Sequence, residues 1–277
     1  MTEADLARLV ELSEARAYAS LVAAAPPAVA EQYGFRVATI GCAVAIMADS
    51  VTTSLNLNRV IGLGVAESAT EEMLDRLCSR YVAPFGIELS PASKPGDLPQ
   101  WLKARRLRKA FVSRILYRDG GLPRDVYGSW AKSTGLRVER TGPENAAALA
   151  KLSCENFRMP DSVQPVIEAT VRQPGWRHWV AFDGDLPVGG SLSYVEGGIC
   201  WLGWTSVLPS HRGRWIHAGI VAKELQEAHE TGCNWITTET ASGTEESPDP
   251  AYHNLKSFGF REAYMRPVYA GRPRSAR

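Results

Sequence analysis

At 277 residues, with 45% apolar and 22% charged residues, the chain has the composition of a folded globular protein, long enough for two domains or one elaborated one. Its 31 basic and 30 acidic residues leave a formal net charge of +1, which argues against a broad electrostatic footprint for nucleic acid or a membrane surface. The five cysteines (Cys42, Cys78, Cys154, Cys200, Cys233) are odd in number and free of C-x-x-C spacing, so neither a disulfide framework nor a zinc site is indicated, and a reducing cytoplasm fits.

Thr2 and Asp5 resemble a capping signal, and Leu6, Leu9, Val10, Leu12 and Ala17 follow at helical spacing, which predicts a long first helix. Glu3, Asp5, Glu11 and Glu14 among these apolar residues make it amphipathic and unlike a secretory leader, and no apolar run approaches the ~18 residues of a spanning helix. After Pro26-Pro27 the β-rich runs Phe35 to Thr39, Cys42 to Met47 and Leu57 to Leu63 read as strands. Ala69 to Val82 reads as a helix with Met73, Leu74, Leu77, Cys78 and Tyr81 on one face. A strand at Ile87 to Leu89, a helix at Leu98 to Leu107 and a strand at Ala110 to Tyr117 complete the first half. The basic cluster Arg105, Arg106, Arg108 and Lys109 reads as a solvated helix end, and Arg272, Arg274 and Arg277 as a frayed tail.

Asp119-Gly120-Gly121-Leu122-Pro123, continuing to Thr134-Gly135, has the turn chemistry of a linker and divides the chain into residues 1–135 and 136–277. The second half opens with a strand at Leu136 to Glu139, a helix at Glu144 to Phe157 and a helix at Gln164 to Arg172 that ends at Gln173-Pro174-Gly175. Three antiparallel strands follow, Arg177 to Asp183, Pro187 to Val195 and Ile199 to Leu208, joined by hairpin turns. A helix (Arg214 to Glu230), a strand (Trp235 to Ala241), a helix (Ala251 to Phe258) and a strand (Arg261 to Tyr269) end the chain.

The junction from Val207 to Arg214 joins a buried strand to a helix start. Unpaired amides and a positive dipole end at such a place make a cradle for pyrophosphate, although many α/β proteins build the same junction for packing alone. Here the chain resembles a known family. Val207, Pro209, Arg212 and Gly213 match the V-x-P-x-x-R-G-x-G-x-G/A acetyl-CoA motif of the GNAT superfamily, and Tyr252-His253-Asn254-Leu255-Lys256-Ser257-Phe258-Gly259-Phe260 resembles its helix-to-strand segment ending in G-F. Thr237-Thr238-Glu239-Thr240 is similar to a subgroup with T-E-T in the intervening strand. The resemblance covers about 140 residues, and it departs from the family at Trp215, where a glycine is usual, and at His217, where Gly, Ala or Gln is.

The resemblance implies an α/β fold of the α+β kind, a GNAT-like mixed, mostly antiparallel sheet flanked by helices, with two such domains in tandem. Residues 136–277 are then the acyltransferase domain. Residues 1–135 are either a degenerate copy, with Asn58 to Gly64 mimicking the strand-to-helix turn, or an unrelated α/β cap. It implies transfer from acetyl-CoA, or another acyl-CoA, to the amine of a small molecule. The cosubstrate falls to Ser206, Val207, Arg212, Gly213, Arg214, Trp215, Ile216, His217, Ala218 and Asn254, with the Val207 backbone as oxyanion and pantetheine contact. Acyl transfer needs a proton acceptor, an oxyanion donor and an acid for the thiolate. Glu239 is the candidate base, and Tyr252, one helical turn before the family's usual tyrosine position at Leu255, is the candidate acid, with His211, His217 or His253 as proton relays. A salt-bridging or capping role for Glu239, a packing role for Tyr252 and a capping role for Asn254 are the alternatives. The histidine spacing fits no metal site. Trp201, Trp204 and Trp215 gather near the cleft and suit a small, partly apolar acceptor. Two rival readings stand beside acyl transfer: a GNAT fold turned to decarboxylase, lyase or cyclase chemistry, with Trp215 in the old channel, and a non-catalytic binding protein. Acceptor identity stays open, as does oligomeric state, for which a homodimer is one option.

Overall fold

The computed structural model describes residues 2–121, 127–241 and 249–273, with the side chains of 127–129 left aside. In chain order its elements are α1 (Glu3–Ala23), α2 (Pro27–Tyr33), β1 (Phe35–Ile40), β2 (Ala43–Ala48), β3 (Arg59–Ile61), α3 (Glu71–Cys78), β4 (Phe85–Glu88), α4 (Leu98–Ala104), β5 (Arg108–Asp119), α5 (Tyr127–Thr134), β6 (Arg137–Arg140), α6 (Ala146–Phe157), α7 (Gln164–Thr170), β7 (Trp176–Asp183), β8 (Leu186–Glu196), β9 (Ile199–Val207), α8 (Ile216–Glu230), β10 (Trp235–Ala241), α9 (Pro250–Ser257) and β11 (Arg261–Gly271). Compactness groups them differently from a single cut near residue 135: one unit runs to Ile115 and takes back the chain from Ala263, and the other is Leu116–Glu262.

In the first unit the strand order is β1-β2-β3-β4-β11, antiparallel except for the parallel pair β3/β4. Val60, Leu74, Leu77, Phe85, Ile87, Leu98 and Leu102 form its core. The predicted capping box starts α1, where the Asp5 amide donates to Thr2 Oγ1. The amphipathic reading of that helix needs amendment, because Glu11 and Glu14 are buried. They are held by arginines from distant parts of the chain: Arg266 lies 2.7 Å from Glu14 and 3.2 Å from Glu11, and Arg59 lies 2.5 Å from Glu88 and 3.3 Å from Glu14. Buried carboxylates persist only when charges and donors surround them. This network is why β11, last in the chain, belongs with α1.

In the second unit the order is β10-β9-β8-β7-β6, antiparallel throughout except for the parallel pair β9/β10. It is a mixed, mostly antiparallel sheet flanked by helices. Two consecutive strand glycines set the packing of those helices. A Cβ on Gly189 would lie 3.0 Å from Ile216 of α8, and one on Gly190 would lie 2.3 Å from Leu149 of α6. Successive strand residues face opposite sides, so the pair lets α8 approach one face and α6 the other. On the α8 side, Cys200, Leu202, Ile236, Leu225, Leu255 and Phe258 share one core, and Trp130 of α5 closes a second with Trp179, Ile216 and Ile220.

The helices α2 and α5 were not anticipated. Pro27 opens α2, where proline's fixed φ suits a first helical position, and α5 lies in the stretch expected to be linker. Of that linker, Leu122 and Pro123 lie outside the described residues, as do Arg274 and Arg277 of the basic tail. Among the described residues no helix is long and apolar enough to cross a membrane.

Candidate active site

The site is built where β9 leaves the sheet and α8 begins. β9 and β10 pair in parallel from Ile199 with Trp235 to Leu202 with Thr238, and Thr238 Oγ1 donates to the Leu202 carbonyl at 2.9 Å. Both strands then run on, β9 to Val207 and β10 to Ala241, without a further rung between them. A wedge opens between two strands of one sheet. Just beyond this point β9 is also bulged on its other edge. Gly190 pairs with Ser206 and Leu192 with Gly203, so Trp204 and Thr205 oppose Ser191 alone, and Trp204 adopts φ +54°. Such an extra residue disrupts the ladder and re-aims side chains at the wedge.

At the end of β9 the chain makes a 3₁₀ turn over Pro209–His211 and turns into α8 through Gly213 (φ +80°) and Trp215 (φ +59°). A Cβ on Gly213 would meet nothing within 4 Å, so this glycine serves the backbone angle, not a close contact. Trp215 holds a left-handed conformation that costs a bulky residue about 1–2 kcal/mol. No side chain caps α8, and the Gly219 amide, donating to the Trp215 carbonyl at 3.0 Å, closes its first turn. The amides before it have no intrahelical acceptor and sit at the positive end of the helix dipole. Trp215 is 64% exposed, so it does not seal this turn by burial.

The turn is braced from outside. Arg214 donates to Asp183 at 2.6 Å, and His211 Nε2 lies 3.4 Å from the same carboxylate. Arg214, then His211, keep the Asp183 carboxyl below the usual carboxylate range. Arg212 donates to Asn156 of α6 at 3.2 Å, and Trp130 Nε1 donates to the Arg214 carbonyl at 3.3 Å. The motif arginine therefore ties the turn to a neighbouring helix.

His217, in the first turn of α8, reaches across to α9, its Nδ1 3.5 Å from the Asn254 amide nitrogen. Burial pushes its pKa down to about 4 against the opposing charge of Asp249, so the ring is neutral near pH 7. His217 and Asn254 thus come together at the mouth between α8 and α9. Tyr252 packs half-buried against the α8-side core and lies edge-on to His253, at 5.7 Å between ring centroids, while His253 is exposed. Leu255 is 3% exposed within that core. Glu239 is the first β10 residue past the last rung and is half-buried. By strand alternation it faces away from Ile236, and so away from α8 and α9.

Two features escaped the sequence reading. The Trp204 bulge has no local signature, because which residue of a strand doubles up is decided by the partner's register. The Gly189-Gly190 pair was legible, since glycine inside a strand marks a close approach.

No family model matches the sequence, and no curated protein matches it. Solved structures do. A GCN5-related N-acetyltransferase from Kribbella flavida is similar at TM-score 0.59 and 15% identity, over 91% of this chain and 95% of that one. The fold is a GNAT fold. A GCN5-related N-acetyltransferase from Sphaerobacter thermophilus, at TM-score 0.54 and 14% identity, shares it over 75% of this chain and 66% of that one. So does a tandem GNAT protein from the clavulanic acid biosynthesis pathway, at TM-score 0.53 and 14% identity over 79% and 76%. At such identities the likeness carries the fold, and residue roles must be argued from the site itself.

Proposed function

We propose that the chain is an acyl-CoA-dependent N-acyltransferase, most simply an acetyltransferase acting on the amine of a small molecule. The observation that carries this reading is the coincidence of an uncapped, positively polarised α8 terminus with the wedge between β9 and β10. Amides of residues 213–218 and the Arg212 and Arg214 side chains suit a diphosphate, and an extended arm laid in the wedge meets the β9 edge that β10 no longer covers beyond Leu202. A thioester delivered there places its carbonyl against a strand edge whose amides stabilise an oxyanion. Glu239 accepts the amine proton as the C–N bond forms. The C–S bond then breaks, and Tyr252 donates a proton to the departing thiolate. Tyr252 takes this role because Leu255, at the family's usual tyrosine position, is sunk in the core. His253, exposed beside Tyr252, returns the proton from solvent.

The degenerate partner in this proposal is the first unit, residues 1–115 with 263–277 in place of the expected 1–135, a second GNAT-like copy that has lost its own cradle. Thr70 caps α3 and Glu71 and Glu72 occupy its first turn, which is hostile to phosphate. The test of the main reading is direct: acetyl-CoA at millimolar concentration raises the melting temperature, and thiol appears when amines are added. No shift, together with no CoA species in denatured protein by mass spectrometry, removes it.

A second reading, a GNAT fold turned to chemistry other than acyl transfer, is favoured by Trp215 and by the His217 contact with Asn254, which narrows the mouth between α8 and α9. Acetyl-CoA binding without thiol release across an amine panel is its signature.

A further inference from the structure

Two of the five cysteines meet beneath α8. Cys200 is the second residue of β9, and Cys233 lies in the turn between α8 and β10. They stand far apart in the sequence, and the backbone brings the second onto the first. The Cys233 amide donates to the Ala228 carbonyl at 2.9 Å, which ends α8 and turns the chain toward the sheet. The next amide, of Asn234, donates at 2.7 Å to the carbonyl of Gly198, two residues before Cys200. Both cysteines belong to the α8-side core, and the Cys200 thiol donates to the Cys233 sulfur. The Thr231 hydroxyl lies 3.6 Å from the same sulfur.

The two sulfurs are not equivalent. The bond from Cys200, then the Thr231 hydroxyl and the charge of Arg177, pull the Cys233 thiol down to about 6 against its own burial and Glu227, so near pH 7 it is mostly thiolate. The same contact, with burial and the carboxylates of Glu224 and Glu227, pushes Cys200 up and keeps its proton on. Position follows the same division. Cys233 is flanked by exposed Thr231, Gly232 and Asn234, so its sulfur sits just under the surface, while Cys200 lies behind it in the core. Thiolate character and access together select which sulfur an oxidant meets, and a second thiol in contact with it can resolve the product. Cys154, also buried, lacks this arrangement, its thiol pushed up to about 12 by burial. Acyl transfer as assigned above uses neither Cys200 nor Cys233.

We infer that Cys200 and Cys233 form an oxidation site for peroxide, closing a reversible disulfide between the start of β9 and the end of α8. The Cys233 sulfur attacks one oxygen of hydrogen peroxide, the O–O bond breaks, hydroxide leaves and a sulfenic acid forms. The Cys200 sulfur then attacks the Cys233 sulfur, the S–O bond breaks, and the hydroxyl departs with the Cys200 proton as water. The two thiols give up two electrons and peroxide accepts them. A dithiol reductant reverses the bond by exchange. The disulfide fastens α8 to β9 at the end away from the turn over residues 208–215, so it stiffens the two elements that build the candidate site and leaves that turn open. This site stands whether or not the protein transfers acyl groups.

The experiment treats the full-length protein with hydrogen peroxide, blocks the remaining thiols by alkylation and maps the peptides by mass spectrometry. Wild type is expected to lose two of its five thiols and to yield one cross-linked pair, Cys200 with Cys233, which dithiothreitol releases. Cys200→Ser removes the resolving thiol, so Cys233 should stop at the sulfenic acid and take up dimedone. Cys233→Ser should leave Cys200 unlabelled by dimedone. The oxidised wild type should melt roughly 5–10 °C higher than the reduced protein, because the bond closes a loop of roughly thirty residues, and Cys200→Ser should show no such rise. Peptide mapping of wild type decides the pairing by itself, so a variant that fails to fold leaves the test standing. Survival of all five thiols under peroxide, a disulfide joining any other pair, or dimedone labelling of Cys200 in Cys233→Ser overturns the inference.

Discussion

The two strand-to-helix turns of this chain start alike and end differently. In the first unit, β3 leads through Gly62 (φ +80°) and Gly64 (φ +74°) toward α3; in the second, β9 leads through Gly213 (φ +80°) toward α8. The first turn is filled by its own chain. Lys94 donates its amide to the Gly64 carbonyl and accepts from Ala69, both at 2.8 Å, and a Cβ on Gly64 would lie 2.3 Å from the Lys94 oxygen. Thr70 then caps α3, accepting from the Met73 amide at 3.1 Å, and Glu71 and Glu72 neutralise the dipole. The second turn has open space at Gly213, no cap and no acid in its first helical turn, and two arginines beside it, Arg214 held by Asp183 and Arg212 by Asn156. One terminus has been satisfied internally and the other left for something else. The lesson is that a helix N-terminus becomes an anion site by what the protein declines to place there.

That contrast can be broken or sharpened in several ways. The largest effect is expected from Glu239→Gln, which removes the proposed base: kcat for amine acetylation should fall by about 10²–10⁴ with acetyl-CoA binding retained. Full turnover would remove Glu239 as base. Trp215→Asp makes the second turn resemble the first by capping α8 with a negative charge. The acetyl-CoA-dependent melting shift should vanish and kcat/KM drop roughly 100-fold, while the free protein holds or gains stability. An undiminished shift would mean that the diphosphate lies elsewhere.

A third test concerns the floor of α8. Glu224 is buried there, its Oε1 accepting from Ser191 at 2.8 Å and its Oε2 without a partner, and burial pushes its pKa up to about 8. The folded state thus holds a proton that the unfolded chain loses above its ordinary carboxylate pKa, so this group favours folding less as pH rises. Its contribution is undiminished below about pH 4, falls through the window up to about 8 and is flat beyond. Glu224→Gln should therefore match wild type in stability near pH 4 and exceed it by a few kcal/mol at pH 9 in denaturant titrations. Parallel pH profiles for the two proteins would refute the buried proton. The smallest effect belongs to the first unit, where Thr70→Ala should cost about 1 kcal/mol of stability and leave the acetyl-CoA shift unchanged. A loss of that shift would give the first turn a binding role.

Much of the second unit was legible because its signals are local. Alternation gave the strands from Trp176 to Val207, turn residues gave the hairpins, and the V-x-P-x-x-R-G spacing marked the turn into α8. Helix ends were less so: α8 was read from Arg214, yet Trp215 is its cap and Ile216 its first residue, since the left-handed angle at Trp215 is not a property a tryptophan advertises. Glu11 and Glu14 were read as the polar part of an amphipathic helix because their partners, Arg59 and Arg266, lie too far along the chain for periodicity to reveal.

By itself the sequence determined the kinds of elements, their order and the place where a strand hands over to an uncapped helix, because propensity, pattern and turn chemistry act over a few residues. Tertiary structure alone decided that β9 and β10 part after Leu202 and Thr238, that β9 bulges at Trp204, and that Leu255 is core. Those facts depend on register and on which distant groups arrive to pack against a residue, and neither is written within one element.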